Sequence, residues 1–202
     1  MTGQKDLFEA AAGPDGLSYR LGFLSAPEEA ELLEVFAALP LEEAQYKEWR
    51  AKRRIVSYGG RYDFNENELR PAGPIPRFLY LMRERLAAWA GIPASGLEHA
   101  VVAEYRPGTQ LGWHRDVPTF ETVLGVSLGG FARMRFRPYP PRSTRRAAFA
   151  LDLEPRSAYI LSGAARWAWQ HAISPTKTLR YSVTFRTLRA RPEDSGKSST
   201  ED

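Results

Sequence analysis

Arg180-Tyr181-Ser182-Val183-Thr184-Phe185-Arg186 alternates between polar and apolar side chains along its whole length. Successive side chains of an extended segment point to opposite faces. Arg180, Ser182, Thr184 and Arg186 therefore share one face, and Tyr181, Val183 and Phe185 the other. This predicts a strand over Leu179–Leu188 with its apolar face against a core. The period of two recurs at Ala100–Tyr105, Thr122–Leu128, Phe131–Phe136, Ala147–Leu153 and Ser157–Leu161, separated by Pro- and Gly-containing turns. Such a run of short strands suits an antiparallel double-sheet jelly roll.

Before residue 98 the period differs. Ser25-Ala26-Pro27-Glu28 has the form of a capping box. Leu32, Leu33, Phe36 and Leu39 then recur at helical spacing, which predicts an amphipathic helix over 26–38. A second helix is expected from Pro76 to Ala90, with Phe78, Met82, Leu86 and Trp89 as its apolar stripe and Gly91-Ile92-Pro93 as its stop. The fold class is mainly β with flanking helices (α+β), a double-stranded β-helix or jelly roll with two helices packed on one sheet. Residues 1–17 read as a loose arm, 18–189 as a single domain, and 190–202 as a disordered tail poor in hydrophobic residues.

With 202 residues, 43% hydrophobic and 26% charged, the chain has the size and balance of one soluble domain with a full core. It contains no cysteine, which excludes disulfides, zinc–thiolate sites and a cysteine nucleophile. The N-terminus lacks the apolar stretch of a secretory signal, and no apolar run is long enough to span a bilayer. The expectation is a cytoplasmic monomer with no membrane association. Net charge is +4 and the isoelectric point about 9.4. The excess lies in Arg50-Ala51-Lys52-Arg53-Arg54, in Arg133, Arg135 and Arg137, and in Arg142, Arg145 and Arg146. Such clusters attract phosphate backbones, so nucleic acid is a candidate partner and Arg53 and Arg54 candidate backbone contacts.

Only three histidines occur, and two of them belong to the chemically suggestive part of the chain. His114 and Asp116 lie two apart in Trp113-His114-Arg115-Asp116, so an extended segment points both to one face. His171 follows far downstream in Arg166-Trp167-Ala168-Trp169-Gln170-His171. Two imidazoles and one carboxylate, with other coordination positions open, are what non-haem Fe(II) oxygenases use. Trp167 and Trp169 would wall such a metal from solvent.

Five blocks now stand in order. They are Tyr105-Arg106-Pro107-Gly108, the His114/Asp116 block, Val126-Ser127-Leu128-Gly129, the His171 block, and Arg180 through Arg186. Together, from about residue 55 to Arg186, the chain resembles the AlkB family of Fe(II)- and 2-oxoglutarate-dependent dioxygenases. The resemblance implies a jelly roll with helices over its outer sheet. It implies that His114, Asp116 and His171 bind Fe(II), and that 2-oxoglutarate and O2 are co-substrates. It divides the domain into a supporting and lid region, 18–98, and a catalytic core, 99–189.

A dicarboxylate co-substrate needs a guanidinium fork. Residues six apart on a strand lie roughly 20 Å apart, longer than 2-oxoglutarate. Arg180, helped by Tyr105 and Ser182, is therefore expected at the distal carboxylate, and Arg186 towards the keto-acid end. Two positions depart from the family's usual pattern, in which asparagines are common. One is Ala103, two residues before Tyr105, and the other is Ser182. Serine still donates a hydrogen bond, whereas alanine does not.

Tyr58, Arg61, Tyr62, Phe64 and Trp113 are the expected substrate contacts, because aromatic faces stack on a base taken out of its helix. The implied function is oxidative dealkylation of modified bases in DNA or RNA, as in alkylation repair. Decarboxylation of 2-oxoglutarate to succinate is coupled to hydroxylation of an N-alkyl group. Single-stranded DNA, RNA and tRNA are all open as substrates. Stable hydroxylation of a tRNA base, hydroxylation of a protein or small molecule, and a non-catalytic nucleic-acid-binding jelly roll remain alternatives.

Overall fold

The computed structural model describes residues 13–46, 49–141 and 149–190, and the side chains of 44–46 and 49–51 are outside the description. Residues 1–12 of the expected arm, most of the expected tail, the Arg142–Arg146 cluster and the start of the strand expected from Ala147 lie outside the described residues.

In chain order the first elements are β1 (Leu17–Arg20), α1 (Ala26–Ala37), β2 (Glu42–Tyr46), β3 (Trp49–Tyr58), β4 (Arg61–Asp63) and β5 (Glu68–Arg70). A short 3-10 turn leads into α2 (Tyr80–Ala90), and β6 (Leu97–Tyr105), β7 (Leu111–His114), β8 (Phe120–Gly129) and β9 (Ala132–Pro138) follow. The chain continues with β10 (Phe149–Leu153), β11 (Ser157–Leu161), α3 (Gly163–Trp167), β12 (Trp169–Ile173) and β13 (Arg180–Leu188).

The strands form a seven-stranded sheet in the order β1-β11-β8-β13-β6-β3-β2, a four-stranded sheet in the order β10-β9-β12-β7, and the β4-β5 hairpin. Every pairing is antiparallel. This is the expected jelly roll, with α1 and α2 on the outer face of the large sheet. The apolar face of β13 explains the layering. Tyr181, Val183 and Phe185 join Phe36 of α1 and Met82 and Leu86 of α2 in one buried cluster. A second cluster lies between the sheets and includes Ala103, Tyr105, Met134, Phe136, Leu161 and Ile173. A Cβ at Gly125 would overlap the Tyr159 ring, so this glycine lets that ring lie across β8.

Both expected helices form. Ser25 Oγ accepts from Glu28 N at 3.4 Å while Glu28 Oε2 accepts from Ser25 N at 2.8 Å, the reciprocal capping box. Gly91 ends α2 in the left-handed region at φ 68°. Glu29 is buried, accepting from Gly129 N at 2.9 Å and from Arg156 Nη1 at 2.8 Å, and so ties α1 to the end of β8. Residues 13–17, read as part of a loose arm, are held instead. Asp15 O accepts from Ala165 N at 2.7 Å and Gly16 O from Ser162 N at 3.0 Å. Among the described residues no helix is long and apolar enough to cross a membrane.

The first half of the polar face of β13 is hidden from solvent. Arg180 and Ser182 are buried between the sheets, 1% and 5% exposed, while Thr184 and Arg186 further along are half-buried. A strand central to a covered sheet has little solvated surface, so Arg180 and Ser182 line an internal site.

Candidate active site

β7 and β12 pair so that His171 lies directly opposite His114. Both rings point inwards, with centroids 4.2 Å apart. Asp116 lies just past the end of β7, and its Oδ2 is 3.6 Å from His171 Nε2. One ligand atom from each of the three lies within 4.8 Å of the others. His114 Nδ1 is 2.9 Å from Gly112 O. A proton on Nδ1 bonds that carbonyl and leaves the Nε2 lone pair free for a metal.

Burial lowers the pKa of both imidazoles, that of His171 to about 3, so two neutral nitrogen donors are available at pH 7. Burial works against ionisation of Asp116, but Arg186 and then the two histidines hold its carboxyl well below the usual carboxylate range. Two neutral nitrogens and one carboxylate form a donor set suited to Fe(II).

Arg186 lies at the metal end of the site. Its Nε donates to Asp116 Oδ1 at 2.9 Å, its Nη1 is 3.3 Å from His99 Nδ1, and its guanidinium packs 5.4 Å from the Phe120 ring centroid. It thereby orients the carboxylate. Arg166, 2% exposed, sends Nη2 to Val117 O at 2.7 Å and Phe120 O at 2.8 Å, which fixes the segment after Asp116. Trp169 packs against the inner cluster, while Trp167 donates to Glu121 Oε1 at 2.9 Å, so Trp169 alone of the two joins that wall.

Further along the inner face of the large sheet, Arg180 Nε donates to Ser127 Oγ at 2.9 Å and its guanidinium lies 4.9 Å from the Tyr105 ring centroid. Arg180 Nη1 is buried with no hydrogen-bond partner. Ser182 pairs with Ala103 on one side and Ser127 on the other. A buried guanidinium with an unsatisfied N–H is a ready receptor for a carboxylate. The residues present thus fit both a divalent metal and a dicarboxylate.

Arg53 and Arg54 do not form a common basic face, because neighbouring positions on β3 point to opposite sides. Arg53 Nη1 donates inwards to the Tyr105 hydroxyl at 3.3 Å. Arg54 turns outwards, pairing with Glu104 at 3.1 Å and donating to Leu41 O at 3.2 and 2.8 Å.

The expected substrate contacts are dispersed. Trp113 points to the outer face of the small sheet, its ring 5.1 and 4.5 Å from the guanidiniums of Arg135 and Arg137. Tyr58 turns to the helical side, edge-on to Phe78 at 6.4 Å. Tyr62 and Phe64 stay together on the β4-β5 hairpin, with ring centroids 5.0 Å apart, and exposed Arg61 lies beside them, opposite Arg70. The hairpin is rooted near the metal ligands, since the Gly60 backbone bonds His99, the neighbour of Arg186. Sequence reasoning missed His99, Ser127 and Arg166. All three act through other residues, and only Ser127 and Arg166 fell inside quoted motifs.

Residues 22–189 match the family model described as the 2OG-Fe(II) oxygenase superfamily. The chain belongs to that superfamily. Fe(II), 2-oxoglutarate and O2 are therefore its reaction components, in line with the donor set and the open guanidinium. Among its relatives is an Arabidopsis thaliana protein named "Alkylated DNA repair protein ALKBH8 homolog", 29% identical over 222 residues. The match covers 92% of this chain and 62% of that one, so the chain spans under two thirds of this relative's length. An uncharacterized protein of Acanthamoeba polyphaga mimivirus is 31% identical over 104 residues, 45% of this chain and 48% of the viral one. The fold also matches the solved structure of OsALKBH1, with a TM-score of 0.66 and 17% identity over 85% of this chain and 98% of that one. This oxygenase is AlkB-like, as the five motif blocks imply.

Proposed function

We propose that this oxygenase removes an N-alkyl group from a base in nucleic acid, using the stretch 18–189 as its catalytic unit. The observation that carries the oxidative chemistry is the inward convergence of His114, Asp116 and His171, beside the unpartnered guanidinium nitrogen of Arg180. The name of the plant relative, an alkylated DNA repair protein, supports a nucleic-acid substrate.

With Fe(II) and 2-oxoglutarate bound, the site supplies O2-dependent oxidation, in which the 2-oxo acid loses CO2 to become succinate and one oxygen enters a substrate C–H bond. The protein's own share is positional. His114, Asp116 and His171 would hold the metal, and Arg186 keeps one carboxylate oxygen of Asp116 engaged at 2.9 Å. Arg180 and Tyr105 would grip the distal carboxylate. The Tyr62–Phe64 pair would cover the flipped base. In the hydroxylated product the C–N bond breaks and the hydroxyl proton passes to nitrogen, releasing an aldehyde and restoring the base.

Arg133, Arg135 and Arg137 project in series from the outer face of β9 beside Trp113. This row is our candidate for backbone contact, in place of Arg53 and Arg54. The test supplies Fe(II) and 2-oxoglutarate together with methylated single-stranded DNA, methylated tRNA or no polymer, and measures succinate and formaldehyde. Polymer-stimulated succinate with matching formaldehyde is expected. Stimulated succinate without formaldehyde would mean stable hydroxylation, and no stimulation by either polymer would overturn the nucleic-acid substrate.

A further inference from the structure

The large sheet brings a second guanidinium to Tyr105 from the strand beside β6. In the register of β3 and β6, Ile55 lies opposite Ala103 and Arg54 opposite Glu104, which brings Arg53 level with Tyr105. Its Nη1 donates to the Tyr105 hydroxyl at 3.3 Å, and its guanidinium carbon lies 6.0 Å from that ring's centroid. Arg180 flanks the same ring at 4.9 Å.

Each of these two arginines carries a buried N–H without a partner, Nε of Arg53 and Nη1 of Arg180. Arg83, Arg135 and Arg166 also carry a buried Nε without a partner, but Arg53 and Arg180 are the two that flank the Tyr105 ring. Neither makes an ion pair with a carboxylate among the described residues. Two guanidiniums around one phenol, both with unspent donors, leave a local excess of positive charge, with Arg180 buried and Arg53 half-buried. An anion entering there would offset that excess. Burial would raise the Tyr105 pKa, but Arg53 and then Arg180 lower it below its ordinary value.

We propose that Arg53 is a second guanidinium of the co-substrate pocket, supplying a further donor to the distal carboxylate of 2-oxoglutarate beside Arg180 and Tyr105. This rests on the co-substrate assignment above and adds a ligand contact to it. The pocket then recognises a dianion through two cations, and its preference for a 2-oxo acid with a second carboxylate depends on both.

The test uses the full chain loaded with Mn(II) and needs no turnover. Calorimetric titrations compare 2-oxoglutarate with 2-oxobutanoate, which keeps the 2-oxo acid end and lacks the distal carboxylate. Arg53→Gln should weaken 2-oxoglutarate binding roughly ten- to hundredfold, the range of a hydrogen bond to a charged group. It should leave Mn(II) and 2-oxobutanoate binding unchanged. Arg53→Lys should recover part of the loss, because an ammonium keeps the charge without the fork. Equal losses for the two acids would reduce Arg53 to a structural prop and overturn the proposal. Unchanged 2-oxoglutarate binding would overturn it as well, and a simultaneous loss of affinity for single-stranded DNA would return Arg53 to a phosphate contact. Wild-type protein that binds neither acid would defeat the co-substrate assignment itself, a distinct result. If melting curves show Arg53→Gln unfolded, Arg53→Lys is judged by the same ratio between the two acids.

Discussion

Arg186 Nε donates to Asp116 Oδ1 at 2.9 Å, which leaves Oδ2 turned towards His171 Nε2 at 3.6 Å. One carboxylate oxygen is thus held by the protein and the other is free for a metal. Partners of this kind typically account for 10–100-fold in metal affinity. Arg186→Gln should weaken Mn(II) binding by about that factor and leave 2-oxobutanoate binding to metal-saturated protein intact. A selective loss of 2-oxo acid binding, with metal affinity preserved, would make Arg186 a contact of the 2-oxo acid rather than a support of the metal ligand.

His114→Ala, Asp116→Ala and His171→Ala should each abolish 2-oxoglutarate turnover, since two ligands do not hold Fe(II) in the facial arrangement. The fold should survive, because the two clusters that hold the sheets together do not depend on these side chains. Iron titration with succinate measurement checks this. A variant that keeps both iron and turnover shows its residue not to be a ligand.

Arg180 is buried with an unsatisfied nitrogen, so binding and stability should respond to its loss in opposite directions. Arg180→Met should weaken 2-oxoglutarate binding by roughly 1.5–3 kcal/mol. The same change removes a desolvated cation from the ligand-free protein and should raise its melting temperature. Unchanged binding of the co-substrate would remove Arg180 from the pocket.

The capping box gives a pH prediction remote from the site. The hydrogen bond from Arg85, with those from Ser25, holds the Glu28 pKa down to about 2. A folded pKa below the unfolded one, about 4.3, gives stability that is fully present above the unfolded value. That stability is lost as pH falls through the folded pKa. Glu28→Gln should therefore flatten the fall in melting temperature between about pH 5 and pH 2. Parallel curves for the two proteins would show that the cap carries no such linkage.

Phosphate contacts should show in salt dependence and base contacts should not. Arg135→Ala combined with Arg137→Ala should flatten the salt dependence of single-stranded DNA binding and spare polymer-free 2-oxoglutarate turnover. Tyr62→Ala should slow the polymer-coupled reaction with little change in that slope. Binding that is independent of salt in the wild type would rule out the row on β9 as a backbone contact.

Layer architecture was legible from local pattern alone. A period of two in Tyr181, Val183 and Phe185, and a period of 3.6 in Phe78, Met82 and Leu86, set which faces must be buried, and these residues meet in one cluster. β2, β3, β7 and β12 carry no comparable signal, since their residues serve edges, charges or the site, and only pairing with neighbours makes them strands. His114 and Asp116 were legible because two residues of extended chain suffice to bring them together. His171 was legible as a candidate through its motif, but its place opposite His114 is a matter of sheet register.

What the sequence by itself determined is therefore the set of chemical groups, the strand and helix faces, and the metal-binding pair closest in the chain. Only the tertiary structure decided the partners of the arginines. Arg53 and Arg54 are adjacent in the chain, yet one meets Tyr105 inside and the other Glu104 outside. Arg180 and Arg186 share a face, yet one meets Tyr105 and the other Asp116. Periodicity tells which way a side chain leaves its strand, but what a long guanidinium reaches depends on the neighbouring strands, and those arrive from 50 to 90 residues away in the chain.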